Sequence, residues 1–144
     1  MKLIWSKTIE ESEKSEIEKH FNEFLWLVPN WLQFFKINIY AGESSTCLAD
    51  MTTQYQYREA TMNIYSPWFI AEDYMKRDTI LHELVHLHNT PLFSFAERTL
   101  TTFFDQNNLS VSKDIVIDEL TRYLEAATQD LTFCLNKKFE DDRT

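Results

Sequence analysis

Apolar residues recur along the chain with two periods, and the switch between them divides it into elements. From Ser6 to Val28 the positions Ile9, Ile17, Phe21, Phe24, Leu25 and Val28 share one side of a helical wheel, with Glu and Lys between them. Pro29 lacks an amide proton and stops that helix. "FFKINIY", Phe34 to Tyr40, is β-branched and aromatic and reads as a strand ended by Gly42. "TCLADM" and "EATMNIY" read as two more strands, separated by the polar "TTQYQYR", and "SPWF" marks a turn at Pro67. A helix from about Glu72 to Asn89 follows, closed by Pro91. "LFSFAERTLTTFFDQNN" reads as a further helix and "QNNLSVSK" as a loop. Asp114 to about Leu135 is the last long helix, with Val116, Leu120, Tyr123, Leu124, Ala127 and Leu131 on one face. The charged tail, residues 136–144, is expected to fray. This order predicts one mostly helical α+β domain over residues 1–144, with the N-terminal helix inside residues 1–30 and a small three-stranded antiparallel sheet.

Composition agrees with that class. The 144 residues suffice for one core, and 44% apolar with 15% aromatic residues is the composition of a globular chain. A single glycine leaves few positions for left-handed backbone, which favours helices over a turn-rich β architecture. The 14 basic and 23 acidic residues give a net charge of −9, so the average surface repels a phosphate backbone and no nucleic-acid partner is expected. Cys47 and Cys134 are too few for a disulfide framework and read as small buried residues. The N-terminal stretch lacks the apolar run of a signal peptide, and no segment approaches the ~20 apolar residues that cross a bilayer. No membrane association and a cytoplasmic location are the expectation.

The chemistry concentrates in "DTILHELVHLHNTP", Asp78 to Pro91, which holds three of the four histidines. At ~100° per residue His86 lies about 40° from His82 on a helix, so both imidazoles face one point. Glu83 lies about 100° round, beside that point and poorly placed to join the pair as a ligand. Ile80, Leu81, Leu84, Val85 and Leu87 cover most of the remaining circumference, leaving a polar stripe of Asp78, His82, His86 and Asn89. Buried polar groups need partners, and a metal ion is one that both imidazoles accept. Asp78 stands one turn before His82, where it can orient the ring. His88, about 240° round, falls on the apolar side and reads as a satisfied core histidine.

A catalytic zinc usually has three protein ligands and an open position. Asn89 and Leu92 break the pattern His-x-x-x-His-x-x-Gly-x-x-His, so the third ligand is expected to be a carboxylate from elsewhere. On the last long helix Glu119 and Asp130 flank the apolar face, while Asp118 and Glu125 point away from it. Glu119 is the preferred ligand and Asp130 an outer partner. Glu97, on the intervening helix, is the runner-up, and Glu125 remains an alternative.

These residues resemble the gluzincin class of zinc metallopeptidases: His82-Glu83-Leu84-Val85-His86, followed by a downstream helix carrying Glu119. The likeness covers roughly Ile37 to Leu135 and is closest to minimal, zincin-like forms encoded by bacteria and phages. It implies Zn2+ held by His82, His86 and Glu119, with Glu83 as general base. It also implies a peptide or protein substrate added to an edge strand, here "ATMNIY". One departure stands out: "DELTRYLEAATQDL" lacks the Glu-x-x-Ser/Thr-Asp order of larger relatives, with Glu125, Thr128 and Asp130 one residue too long.

The mechanism so implied is hydrolysis by zinc-activated water, with Glu83 taking the proton and returning it to the leaving amine. Tyr123, one turn after Glu119, is a candidate oxyanion donor, with core packing as its competing role. Two rival functions are a catalytically inactive, zinc-stabilised interaction module of the same fold and a metal-free interaction protein. The latter would make its contacts through Trp5, Trp26, Trp31 and Trp68.

Overall fold

Strands form where β-branched and aromatic residues alternate with polar ones, and a computed structural model shows four of them. It describes residues 1–5, 10–40 and 47–141, so Gly42 and the first residues of the predicted N-terminal helix lie outside the described residues. The chain divides into two units, Met1–His88 and Asn89–Thr144. The first contains β1 (Lys2–Trp5), α1 (Glu11–Glu23), β2 (Phe34–Tyr40), β3 (Ala49–Gln54), β4 (Glu59–Tyr65) and the start of α2 (Asp73–Gln106). The second contains the rest of α2 and α3 (Ser110–Asp141).

The sheet runs β1-β2-β4-β3, with β1–β2 and β2–β4 parallel and β3–β4 antiparallel. It is therefore mixed and four-stranded, where the sequence predicts three antiparallel strands. The missing strand, "KLIW", has four residues and no alternation to reveal it. Parallel pairing leaves no hairpin signature either, because a crossover such as α1 must separate the two strands. A second correction follows: β4 lies between β2 and β3, so "ATMNIY" is interior and β3 is the edge on that side.

The register is pinned by one polar rung. Asn38 Nδ2 donates to Asn63 Oδ1 (3.0 Å), and Asn63 Nδ2 donates to Asp50 Oδ1 (2.6 Å). The Tyr65 hydroxyl donates to Asp50 Oδ2 (2.5 Å). A slip of one residue would break this rung and turn the buried Ala60, Met62 and Ile64 outward.

α1 starts where the Glu13 carboxylate accepts from the Glu10 amide (3.3 Å). Its buried residues Ile17 and Phe21 meet the sheet, with the Phe21 and Phe35 rings 4.9 Å apart. The helix ends at Glu23, followed by a short 3-10 turn at Leu25–Leu27 that leaves Leu25 exposed. On α2, Ile80, Leu81, Leu84, Val85 and Leu87 are all buried, as their spacing predicts. Three ion pairs tie α1 to the first turns of α2: Glu16–Lys76 (2.8 Å), Lys19–Asp73 (3.2 Å) and Glu23–Arg77 (3.0 Å).

α2 does not stop before Pro91 but runs through it for 34 residues, so the two helices expected here are one. Pro91 supplies no N–H to the Leu87 carbonyl, and the helix continues despite that loss. Pro91→Ala is accordingly expected to raise stability by about 1–2 kcal/mol. The restored hydrogen bond and relieved clash exceed the extra entropy of the unfolded chain; urea unfolding measures the difference.

The true stop is Asn108, held at φ 56°. There Leu109 N–H bonds to Phe104 O (3.0 Å) and Asn108 N–H to Asp105 O (3.3 Å), a Schellman closure with Asn in the left-handed position. The predicted loop therefore shrinks to Asn107–Leu109, and α3 starts four residues earlier than expected. It also continues to Asp141, so residues 136–141 are helical where fraying is predicted. The buried face of α3 is rotated from the predicted one: Thr128 and Thr132 are buried, whereas Tyr123 and Leu131 are exposed. Asn89 Nδ2 donates to Thr128 Oγ1 (3.1 Å), a polar contact that an apolar wheel does not anticipate. Cys47 and Cys134 are both exposed, not buried. No helix among the described residues is long and apolar enough to cross a membrane.

Candidate metal centre

The rotation of α2 about its axis is fixed by its five buried aliphatic residues, and that rotation aims His82 and His86 to one side. Both rings are half-buried. Their Nε2 atoms lie 3.1 Å apart, with ring planes at 82° and centroids 4.8 Å apart. Two ligands on a tetrahedral zinc, each ~2.05 Å from it, are separated by about 3.3 Å, so the pair has the spacing of a chelate. Two neutral imidazoles can hold one proton between nitrogens this close, whereas two imidazolium rings would repel. The donor set thus fits a divalent ion, and a metal can occupy the place of that shared proton.

Glu83 is 6% exposed, although its neighbours on either side are His82 and Leu84. A carboxylate that deep needs polar surroundings. Asp78 is half-exposed and lies 3.8 Å from the Arg77 guanidinium.

The other sequence candidates behave differently. His88 is exposed and its Nε2–H donates to the Leu27 carbonyl, so it is not the core histidine expected from the wheel. In the second unit Glu97, Glu125 and Asp130 are exposed. Glu119 is exposed and paired with Arg122 one turn on (3.3 Å). Tyr123 is 68% exposed, which removes core packing as its role. Glu125 stands one turn before Thr128, on the stripe 125/128/132 that includes both buried threonines of α3.

The fourth histidine escaped the motif-centred reading. His20 is 1% exposed and stands beside Asp73. The available signal was its place on α1, one turn after Ile17 and next to Phe21, within the apolar stripe.

No family model matches the sequence, and neither a curated protein nor a solved structure does. Function must therefore be argued from the side chains.

Proposed function

We propose that this protein is a zinc-dependent peptidase of zincin-like build, with His82 and His86 as two of the protein ligands, a carboxylate as the third and Glu83 as the general base. The observation that carries the reading is the 3.1 Å separation of the two Nε2 atoms beside a buried glutamate on one helix. Glu125 is preferred to Glu119 because it stands on the stripe 125/128/132 that includes both buried threonines of α3. Glu125 also shares a stripe with Thr128, the partner of Asn89, and Asn89 continues the His82–His86 stripe of α2.

An ion held there supplies a Lewis acid that polarises a peptide carbonyl and acidifies water. The chain's own residues do the rest. His82 and His86 present unprotonated Nε2 atoms and therefore carry their protons on Nδ1. Glu83 accepts the proton of the attacking water on a carboxylate oxygen and delivers it to the departing amine. The exposed Tyr123 phenol is the candidate donor to the oxyanion. An extended peptide would add to β3, the edge strand, with main-chain hydrogen bonds setting its register.

The ligand choice is tested by zinc titration of two variants. Glu125→Gln is expected to weaken zinc binding by at least about a hundredfold and Glu119→Gln by less than about threefold, the cost of losing one charged ligand against none. The reverse ranking would move the third ligand to Glu119. Normal zinc binding by a His82→Ala, His86→Ala double variant would remove the metal from the reading altogether.

A second reading is a metal-stabilised interaction module without catalysis. The exposed Leu92, Phe95, Phe103, Val111 and Ile115 of the second unit favour it, since helices facing water alone rarely display so many large apolar side chains. The two readings separate at Glu83, which only catalysis requires.

A further inference from the structure

Outside the metal helix's polar stripe, His20 is the most deeply buried histidine among the described residues, and nothing in the proposed chemistry uses it. It sits on the inner side of α1. Its Nε2 is 3.1 Å from Asp73 Oδ1, yet the contact is off-line, and neither ring nitrogen has a well-formed hydrogen bond. The ring stands edge-on to Trp68, with centroids 6.2 Å apart and planes at 80°. Trp68 is wholly buried, and its Nε1 likewise lacks a hydrogen-bond partner.

Charged groups surround this ring on two helices. α1 contributes Glu16, Lys19 and Glu23, and α2 contributes Asp73, Lys76 and Arg77, joined in the three pairs described above. The 3-10 turn Ser66–Ile70, which carries Trp68, brings no charged side chain. His20 therefore sits in the middle of the strap between α1 and α2, as its one member able to change charge near neutral pH.

We propose that His20 is a proton-operated latch, docking α1 onto the N-terminal turns of α2 while neutral and releasing α1 when protonated. Burial pushes its pKa below the ordinary histidine value of 6.5; Asp73 opposes this, while Lys19 adds to it. Asp73 stays ionised throughout, because the hydrogen bond from Lys19 holds its carboxyl below the usual range. The docked form thus binds the proton less well than the released form. Docking is at full strength above pH 6.5 and weakens as pH falls from there toward the lowered value of the docked ring. One proton changes the equilibrium by up to about tenfold per pH unit in that window. Release uncovers Phe21 and Phe24 and opens the wall of Trp68 to water.

Two substitutions should move the acid response in opposite directions. His20→Phe keeps an aromatic ring and removes the proton site. Asp73→Asn removes the anion that eases protonation in the docked form, so the gap between docked and released pKa widens. From about pH 7.5 to about pH 5.5 the wild-type Tm is expected to fall by about 5 °C, on the scale of one titrating group in a small domain. His20→Phe should lose less than half of that, and Asp73→Asn should lose more than the wild type, whatever its starting Tm. Should His20→Phe fail to fold, proton NMR of the wild type still decides the matter. A His20 ring that titrates at or above 6.5, or a His20→Phe variant with the full acid response, would overturn the latch. A ring that titrates below 6.5 in step with the change in near-ultraviolet dichroism of the buried indole would support it.

Discussion

Glu83→Gln is expected to leave zinc binding within about threefold of wild type while lowering peptide hydrolysis by ~10²–10⁴, the usual range for removing a positioned general base. In free energy that is about 3–5 kcal/mol of transition-state stabilisation from one atom change. The substitution is nearly isosteric, so the helix can keep its packing between Ile80 and Leu87. The amide cannot accept a proton, yet it keeps the carboxylate's shape and one acceptor oxygen. A folded zinc protein that no longer cleaves is hard to obtain from a glutamate that only packs. Metal analysis and cleavage of a quenched fluorescent peptide library measure the two halves. Unchanged cleavage would sink the catalytic role; loss of zinc would mean that Glu83 holds the ion or its ligands.

The proposed hydrolysis depends on how α2 is held, and that hold was only partly readable in the sequence. The apolar spacing around His82 correctly gave a helix with one polar stripe, because five aliphatic residues in eight positions leave it a single rotation. β2 and β4 were legible to the residue for the same reason: β-branched alternation with polar neighbours on both ends. What the pattern concealed were facts set by non-local partners. β1 is a strand because β2 offers it parallel hydrogen bonds, and four residues carry too little periodicity to show that. Pro91 reads locally as a stop, yet the helix has 34 residues and runs through it, so one missing hydrogen bond does not end it. The buried side of α3 is marked by Thr128 and Thr132, whose hydroxyls bond to Asn89 and to the Thr128 carbonyl, so a hydrophobic wheel points at Tyr123 and Leu131 instead. That rotation is also why a choice between Glu119 and Glu125 made from the wheel alone was fragile. His20 was overlooked because a buried histidine in an apolar stripe has no motif; its meaning comes from Asp73, more than fifty residues away.

Phe21→Ala is expected to destabilise the first unit by about 3–5 kcal/mol, the cost of emptying a buried phenylalanine site. Against a total stability of roughly 5–15 kcal/mol for a domain, that is a large fraction. Phe21 is 2% exposed and meets Phe35 with centroids 4.9 Å apart, so the change removes both apolar burial and a ring–ring contact worth about 1 kcal/mol. The ion pairs between α1 and α2 cannot make up the loss. Lys19–Asp73 is well exposed on both sides, and such pairs contribute ~0–1 kcal/mol. Glu16–Lys76 is more enclosed, but its attraction is largely offset by taking the ammonium out of water. The apolar contact is therefore what seats α1 on the sheet, and the charges select where along α2 it sits. Urea unfolding checks the ranking directly. Phe21→Ala should shift the midpoint several times further than Lys19→Ala does. Salt at ~1 M should shrink the Lys19→Ala effect and leave that of Phe21→Ala intact, since screening acts on exposed charges and not on a cavity. A Lys19→Ala loss equal to that of Phe21→Ala would mean that electrostatics, and not the Phe21–Phe35 contact, holds the helix in place.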